Sequence, residues 1–220
     1  MLALKAALSD DEVAAVRADL DRARFIDARE KGVGDGLRHE KSRMEADQAD
    51  PVTMDLSKRV RAILTANSTF AQYARPLRWT RLRFGRYSVG DGFGAHVDAP
   101  MMTTTEGPMR SDLSFTLFLA DPETYDGGAL VMDGADGMRE IKLGSGDIVV
   151  YPTTVPHRVT PVTRGERWVC VGWMQSAIRQ PAQREMLFDL SLVRAALPAG
   201  DVRLLLDKSI SNLTRYWAEA

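Results

Sequence analysis

A chain of 220 residues, 45% hydrophobic and 27% charged, has the composition of a globular protein with enough apolar residues for a sizeable core. Its formal net charge of −1 excludes an electrostatic case for nucleic acid or for an anionic membrane surface as partner. The single cysteine, Cys170, excludes an internal disulfide and a Cys-rich zinc site, and fits a reducing compartment.

The N-terminal run MLALKAALSDDEVAAV is too short in apolar residues for a signal peptide. No segment reaches the roughly 20 apolar residues of a membrane-spanning helix. A cytoplasmic location is therefore expected. Ser9 and Glu12 have capping-box spacing. Val13, Val16 and Leu20 follow at helical spacing, which predicts a helix over 10–23. Residues 27–52 are polar, with Gly32, Gly34 and Gly36, and read as loop or irregular edge. His39 lies there and is expected to be solvated. Leu56, Val60, Ile63 and Leu64 form one stripe of a second helix over 55–70.

From Trp79 to Trp173 the pattern changes to short β-branched and aromatic runs separated by Gly, Pro and Asp turns. WTRLRFGRY, AHVD, LSFTLFLA, ALVMD, REIKL, DIVVYP, HRVTPV and RWVCVGWM are candidate strands, and their spacing suggests a sandwich, barrel or jelly roll. Met101, Met102 and Met109 flank the polar TTTEGP, read as a loop anchored by its methionines or as a lid. Two helical stretches close the chain, REMLFDLSLVRAAL and DVRLLLDKSISNLTRYWAEA, separated by Pro198-Ala199-Gly200. Tyr216 and Trp217 either dock the last helix or meet a second copy, which makes a homodimer through these helices a candidate assembly. The expected fold class is α+β with a mainly β core: a support region over 1–75, the working core over 76–176 and a helical region over 177–220.

The chain has three histidines, and one of them stands in FGAHVDAP, two residues before an aspartate. Side chains at i and i+2 of a strand share a face, so His96 and Asp98 would aim a nitrogen and a carboxylate at one point. Alone, the pair is equally a strand end with a polar rim. A third ligand is available downstream in His157. Two histidines and a carboxylate on one face of a metal leave the opposite positions open, as in non-haem Fe(II) oxygenases. Arg167, on the strand RWVCVGWM, presents a rigid fork suited to a carboxylate. It can hold the far end of a 2-oxo diacid, and Tyr87 and Thr116 can add hydroxyl hydrogen bonds to the same molecule. Cys170 is expected to be a small buried hydrophobe. Gly90, Gly92 and Gly94, ahead of His96, read as a pliable approach to the site.

GRYSVGDGFGAHVD, MRSDLSFTLFLADPETYDGGALV, LGSGDIVVYPTTVPHRVTPVTRGER and WMQSAIR resemble the Fe(II)/2-oxoglutarate dioxygenases. The likeness is closer still to bacterial PKHD-type hydroxylases, which are prolyl 4-hydroxylase-like. The helical tail is similar too, and the resemblance is weakest over residues 27–75. It implies a double-stranded β-helix (jelly roll) core with flanking helices. It implies iron ligation and catalysis by His96, Asp98 and His157, and 2-oxoglutarate binding by Arg167. It also implies hydroxylation of a C–H bond with O2, releasing succinate and CO2, and L-ascorbate as an accessory reductant. Related halogenases lack the carboxylate ligand, so Asp98 points to hydroxylation. The substrate, small molecule or peptidyl, stays open; relatives are associated with iron uptake. One departure is Gly127-Gly128-Ala129, where the family often has GGE. The alternatives are a non-catalytic jelly-roll module that binds a ligand or senses iron, and a cupin-type metalloenzyme, which usually spends more histidines on its metal.

Overall fold

Helix capping, strand alternation and two apolar layers organise the computed structural model, which describes residues 1–28, 41–135 and 137–219. His39 lies outside the described residues. In chain order the elements begin with β1 (Leu2–Leu4), α1 (Asp10–Leu20), β2 (Phe25–Asp27), β3 (Lys41–Ser42) and β4 (Met44–Ala46). Then come α2 (Pro51–Ala66), α3 (Ser68–Ala74), β5 (Pro76–Trp79), β6 (Arg83–Tyr87) and β7 (Gly92–His96). A hairpin of β8 (Met101–Thr104) and β9 (Gly107–Arg110) leads into β10 (Leu113–Phe118) and β11 (Asp126–Gly127). The core ends with β12 (Leu130–Gly134), β13 (Gly137–Ile141), β14 (Ile148–Pro152), β15 (His157–Val159), β16 (Val162–Arg164) and β17 (Arg167–Ser176). Two helices follow, α4 (Pro181–Ala196) and α5 (Asp201–Trp217).

Local chemistry accounts for the helix ends. Ser9 Oγ accepts from the Glu12 backbone, and Glu12 accepts from the Ser9 backbone, so the capping box starts α1 as its spacing predicts. The single helix expected over 55–70 is instead two. Asp50 caps α2, with Pro51 in its first turn, earlier than predicted. Asn67 then takes an extended conformation, ends α2, and accepts from Phe70 N at 3.1 Å to start α3.

The larger sheet runs β1-β14-β10-β17-β6-β4-β2, with β5 also on β17; a smaller one runs β13-β12-β15-β7-β3. Strand neighbours far apart in sequence are the mark of the expected jelly roll. The stretch 27–52 is not simply loop: β4 is an inner strand of the larger sheet. WTRLRFGRY is two strands, because the chain leaves the sheet at Thr80 to Leu82. TTTEGP is the tip of the β8–β9 hairpin rather than a free loop.

Strand alternation divides the core. Leu113, Phe115 and Leu117 of β10 and Cys170 of β17 join Val16, Leu56, Val60, Leu64 and Phe70 under the helices. Each such buried side chain contributes about 1.5–3 kcal/mol, which is what holds α1, α2 and α3 on the sheet. The opposite face puts Tyr87, Phe118, Val149, Tyr151 and Val169 against Leu130, Met132 and Val159 of the smaller sheet. The site opens in this second layer.

The tail docks by its end. Glu219 N donates to Ala177 O at 2.9 Å, and Arg110 pairs with the Glu219 carboxylate at 2.6 Å. Trp217 is half-buried, while Tyr216 is 85% exposed, so only Trp217 fits the docking expectation.

Candidate metal centre

His157 is the direct Cα partner of His96 across the antiparallel pair β15–β7. Two opposed residues on neighbouring strands share a face, and the rings stand 4.3 Å apart between centroids. Asp98 lies just past the end of β7 and is buried. The His96 Nε2 is 3.9 Å from Asp98 Oδ1, and the His157 Nε2 is 4.0 Å from Asp98 Oδ2. One ligand atom from each residue falls within 4.8 Å of the others, a group able to hold a metal ion.

Each imidazole is set by its own chain. His96 Nδ1 donates to Gly94 O at 2.9 Å, and His157 Nδ1 donates to Val155 O at 3.0 Å. A carbonyl can only accept, so the neutral ring carries its proton on Nδ1 and its lone pair on Nε2. Both Nε2 atoms face the carboxylate. Ser114 Oγ donates to Asp98 Oδ2 at 2.5 Å and fixes that side of the triangle. Of the glycines before His96, Gly92 serves packing, since a Cβ there would stand 3.0 Å from the Val159 carbonyl oxygen of the adjacent strand, whereas Gly90 has φ +89° and open space around it.

All six sequence-predicted residues, His96, Asp98, His157, Arg167, Tyr87 and Thr116, line one cavity of about 260 Å³. Arg167 is 1% exposed, and its Nε and Nη1 have no hydrogen-bond partner among the described residues. Its guanidinium lies 4.8 Å from the centre of the Tyr87 ring. Such a desolvated contact returns about 2 kcal/mol or somewhat more. Burying a cation costs several kcal/mol without a hydrogen-bonded counter-ion. The balance favours an arriving carboxylate, so the donor set and the arginine together fit a metal and a chelating 2-oxo diacid.

Supporting groups escaped the sequence reading. Arg43, largely covered, donates to Tyr87 Oη at 2.8 Å and to Glu45 at 2.9 Å. Burial works against its charge, but the Tyr87 and Glu45 oxygens overcome this and raise its pKa. Tyr87 accepts there, so its own proton is left to donate elsewhere. Burial, then the Asp98 charge, raise the Tyr151 pKa, and the phenol stays protonated. Nothing local marked Arg43, which sits in the segment read as loop. Ser114 did carry a signal: Ser114 and Thr116 are the polar members of alternation in LSFTLFLA, on the cavity side of β10. The Gly127-Gly128 departure also has a place. Gly128 has φ +61°, and a Cβ on it would stand 2.9 Å from Arg167 Cδ.

Residues 82–175, which contain the triad and Arg167, match the family model of the 2OG-Fe(II) oxygenase superfamily. A PKHD-type hydroxylase of Maricaulis maris (strain MCS10) is 52% identical over 164 residues, 73% of each chain. A second, from Shewanella sp. (strain ANA-3), is 40% identical over 217 residues, 96% of each. A crystal structure of a Pseudomonas putida prolyl-4-hydroxylase superposes with a TM-score of 0.55 at 22% identity, covering 80% of this chain and 91% of that one. The fold is thus the jelly roll of the 2-oxoglutarate oxygenases. The chain belongs to the PKHD-type hydroxylases of that superfamily, enzymes for which Fe(II) and 2-oxoglutarate are the implied cofactor and co-substrate.

Proposed function

We propose that this enzyme hydroxylates a C–H bond of its substrate, with Fe(II) held by His96, Asp98 and His157 and 2-oxoglutarate held by Arg167. The observation that carries the reading is the buried Arg167 fork, with no carboxylate paired to it and two of its donors without an acceptor in hydrogen-bond geometry among the described residues, in the same cavity as the three ligand side chains. When bound, Fe(II) supplies the activation of O2 that couples decarboxylation of 2-oxoglutarate to succinate and CO2 with oxidation of the substrate.

The chain's own residues do the rest. The backbone carbonyls of Gly94 and Val155 hold both imidazoles with Nε2 toward the metal position. Ser114 holds Asp98. Arg167 pairs with the distal carboxylate of the co-substrate, and Tyr87 and Thr116 offer hydroxyls beside it. Phe93 and Val159 add apolar surface to the cavity lining.

The same reading takes L-ascorbate as the reductant that restores Fe(II), the cytoplasm as the site of action and iron uptake as the setting. Cys170, buried and with its thiol pKa pushed up by burial, is consistent with a reducing compartment but unreactive there. A second copy is assigned to the C-terminal helices: Val202, Leu204 and Leu205 of α5 are more than half exposed. Leu204→Glu with Leu205→Glu is expected to convert a dimer to a monomer in sedimentation; a wild-type monomer would refute the assembly.

The decisive experiment is anaerobic addition of Fe(II) and 2-oxoglutarate to the folded protein. A visible charge-transfer band is expected in the wild type and absent in His96→Ala. Succinate formation on admission of O2 should follow the same pattern. Iron binding without a band would instead favour a metal-sensing module.

A further inference from the structure

We propose that the substrate carries anionic oxygens, carboxylate or phosphate, and that a basic cleft outside the metal cavity binds them. The inference rests on the inner cavity being the reaction chamber. A larger cleft, of about 670 Å³, adjoins it, and Arg83, Met102 and Trp173 line both. The two spaces therefore meet at these three side chains, and a molecule seated in the outer cleft lies next to the metal cavity.

The cleft is strongly one-signed. Lys58 and Arg61 enter it from one face of α2, Arg81 from the turn before β6, and Arg83 from β6 itself. Glu106, at the hairpin tip, is the acidic residue among its lining. It sits 3.7 Å from Arg78, and its side chain is 78% exposed. Lys58 and Arg61 have no carboxylate within 4.0 Å among the described residues; Arg81 donates to the neutral Gln48 carbonyl. Arg83 is 3.9 Å from buried Glu45, whose charge Arg43 already shares at 2.9 Å. A protein of net charge −1 thus gathers four cations around an approach to its reaction cavity. Focused charge of this kind raises the local concentration of an anion.

The apolar part of the lining limits the ligand further. Trp79, Met54, Met102 and Trp173 line the cleft together with the cations. The Arg83 guanidinium lies 5.3 Å from the centre of the Trp173 ring, and the Trp173 indole nitrogen has no acceptor among the described residues. The neck therefore offers a guanidinium fork and an indole N–H to acceptor oxygens, with apolar surface beside them. This suits an organic anion with an apolar body whose oxidisable carbon projects inward.

The test uses the full chain loaded with Fe(II) and saturating 2-oxoglutarate under anaerobic conditions, so that Arg167 is already engaged. Hydrocinnamate and phenyl phosphate are titrated by calorimetry, with hydrocinnamide and phenol as neutral controls. At least one anion should bind, more weakly as salt rises, and the neutral controls should not. The better-binding arm names the anion class. Lys58→Glu with Arg61→Glu should weaken that binding about tenfold or more, since like charges now face the ligand. Lys208→Glu, exposed on α5, should not. Folding of each variant is checked by its melting temperature and by retention of the charge-transfer band. Loss of the band in the wild type would bring down the chamber assignment and this inference with it. A normal band with no anion binding, or with binding unchanged by the double reversal, would overturn this inference alone.

Discussion

His96 and His157 are direct partners on adjacent antiparallel strands, and both turn Nδ1 to the carbonyl two residues back. The two rings are therefore set by the same local device, used twice. Asp98, beyond its strand end, is the candidate ligand held from outside its own segment, by Ser114.

Ser114→Ala removes a 2.5 Å hydrogen bond to a buried carboxylate. Iron affinity should fall about 10- to 100-fold, the usual effect of losing such a partner. Competition against a metal-binding dye measures this. Unchanged affinity would show that Asp98 is held by the backbone alone.

Arg167→Met replaces a buried cation that has two unpartnered donors. Without ligand, the variant should melt at or above the wild-type temperature, because an uncompensated charge has been removed. In the wild type, 2-oxoglutarate at 100 times its Kd should add about 2.7 kcal/mol of stability. That gain should vanish in the variant. A variant still stabilised by 2-oxoglutarate would place the co-substrate elsewhere.

Gly128→Ala puts a Cβ 2.9 Å from Arg167 Cδ at a residue with φ +61°. The left-handed backbone alone costs roughly 1–2 kcal/mol for a residue with a side chain. The displaced arginine should raise the KM for 2-oxoglutarate while iron affinity is retained. Equal loss of both would mean a general collapse of the β11–β12 turn.

At alkaline pH the buried groups act together. Burial raises the pKa of Tyr73, Tyr125, Tyr151 and Cys170. In the unfolded chain these groups titrate near 10 for tyrosine and about 8.5 for cysteine. Their contribution to stability is complete below those values and is lost as pH rises through them toward the folded values. Stability should fall from about pH 8.5 upward, and Cys170→Ala should flatten the start of that limb. Absorbance at 295 nm should show the three tyrosines ionising only with unfolding. Their reversible titration in a folded protein, judged by circular dichroism, would contradict the burial.

Sequence alone marked the candidate metal-binding pair, the capping of α1 and most core strands, because each is written in spacing: i and i+2 in AHVD, the box from Ser9 to Glu12, the alternation in LSFTLFLA. The ordered set of His96, Asp98, His157 and Arg167 was equally readable, since ligand type and order along the chain need no coordinates. What the tertiary structure decided was everything that depends on strands meeting across long gaps. Arg43 became a partner of Tyr87 only because β4 pairs with β6, in a segment whose polarity reads as loop. The β8–β9 hairpin went unread because weak local propensity is outweighed there by backbone hydrogen bonds, and the break at Asn67 because the apolar stripe runs on past a local side-chain cap. The basic approach to the cavity is the clearest case. Lys58 and Arg61 are ordinary surface cations of a helix until α2 is laid beside β6, where they share a cleft with Arg83 and Trp173.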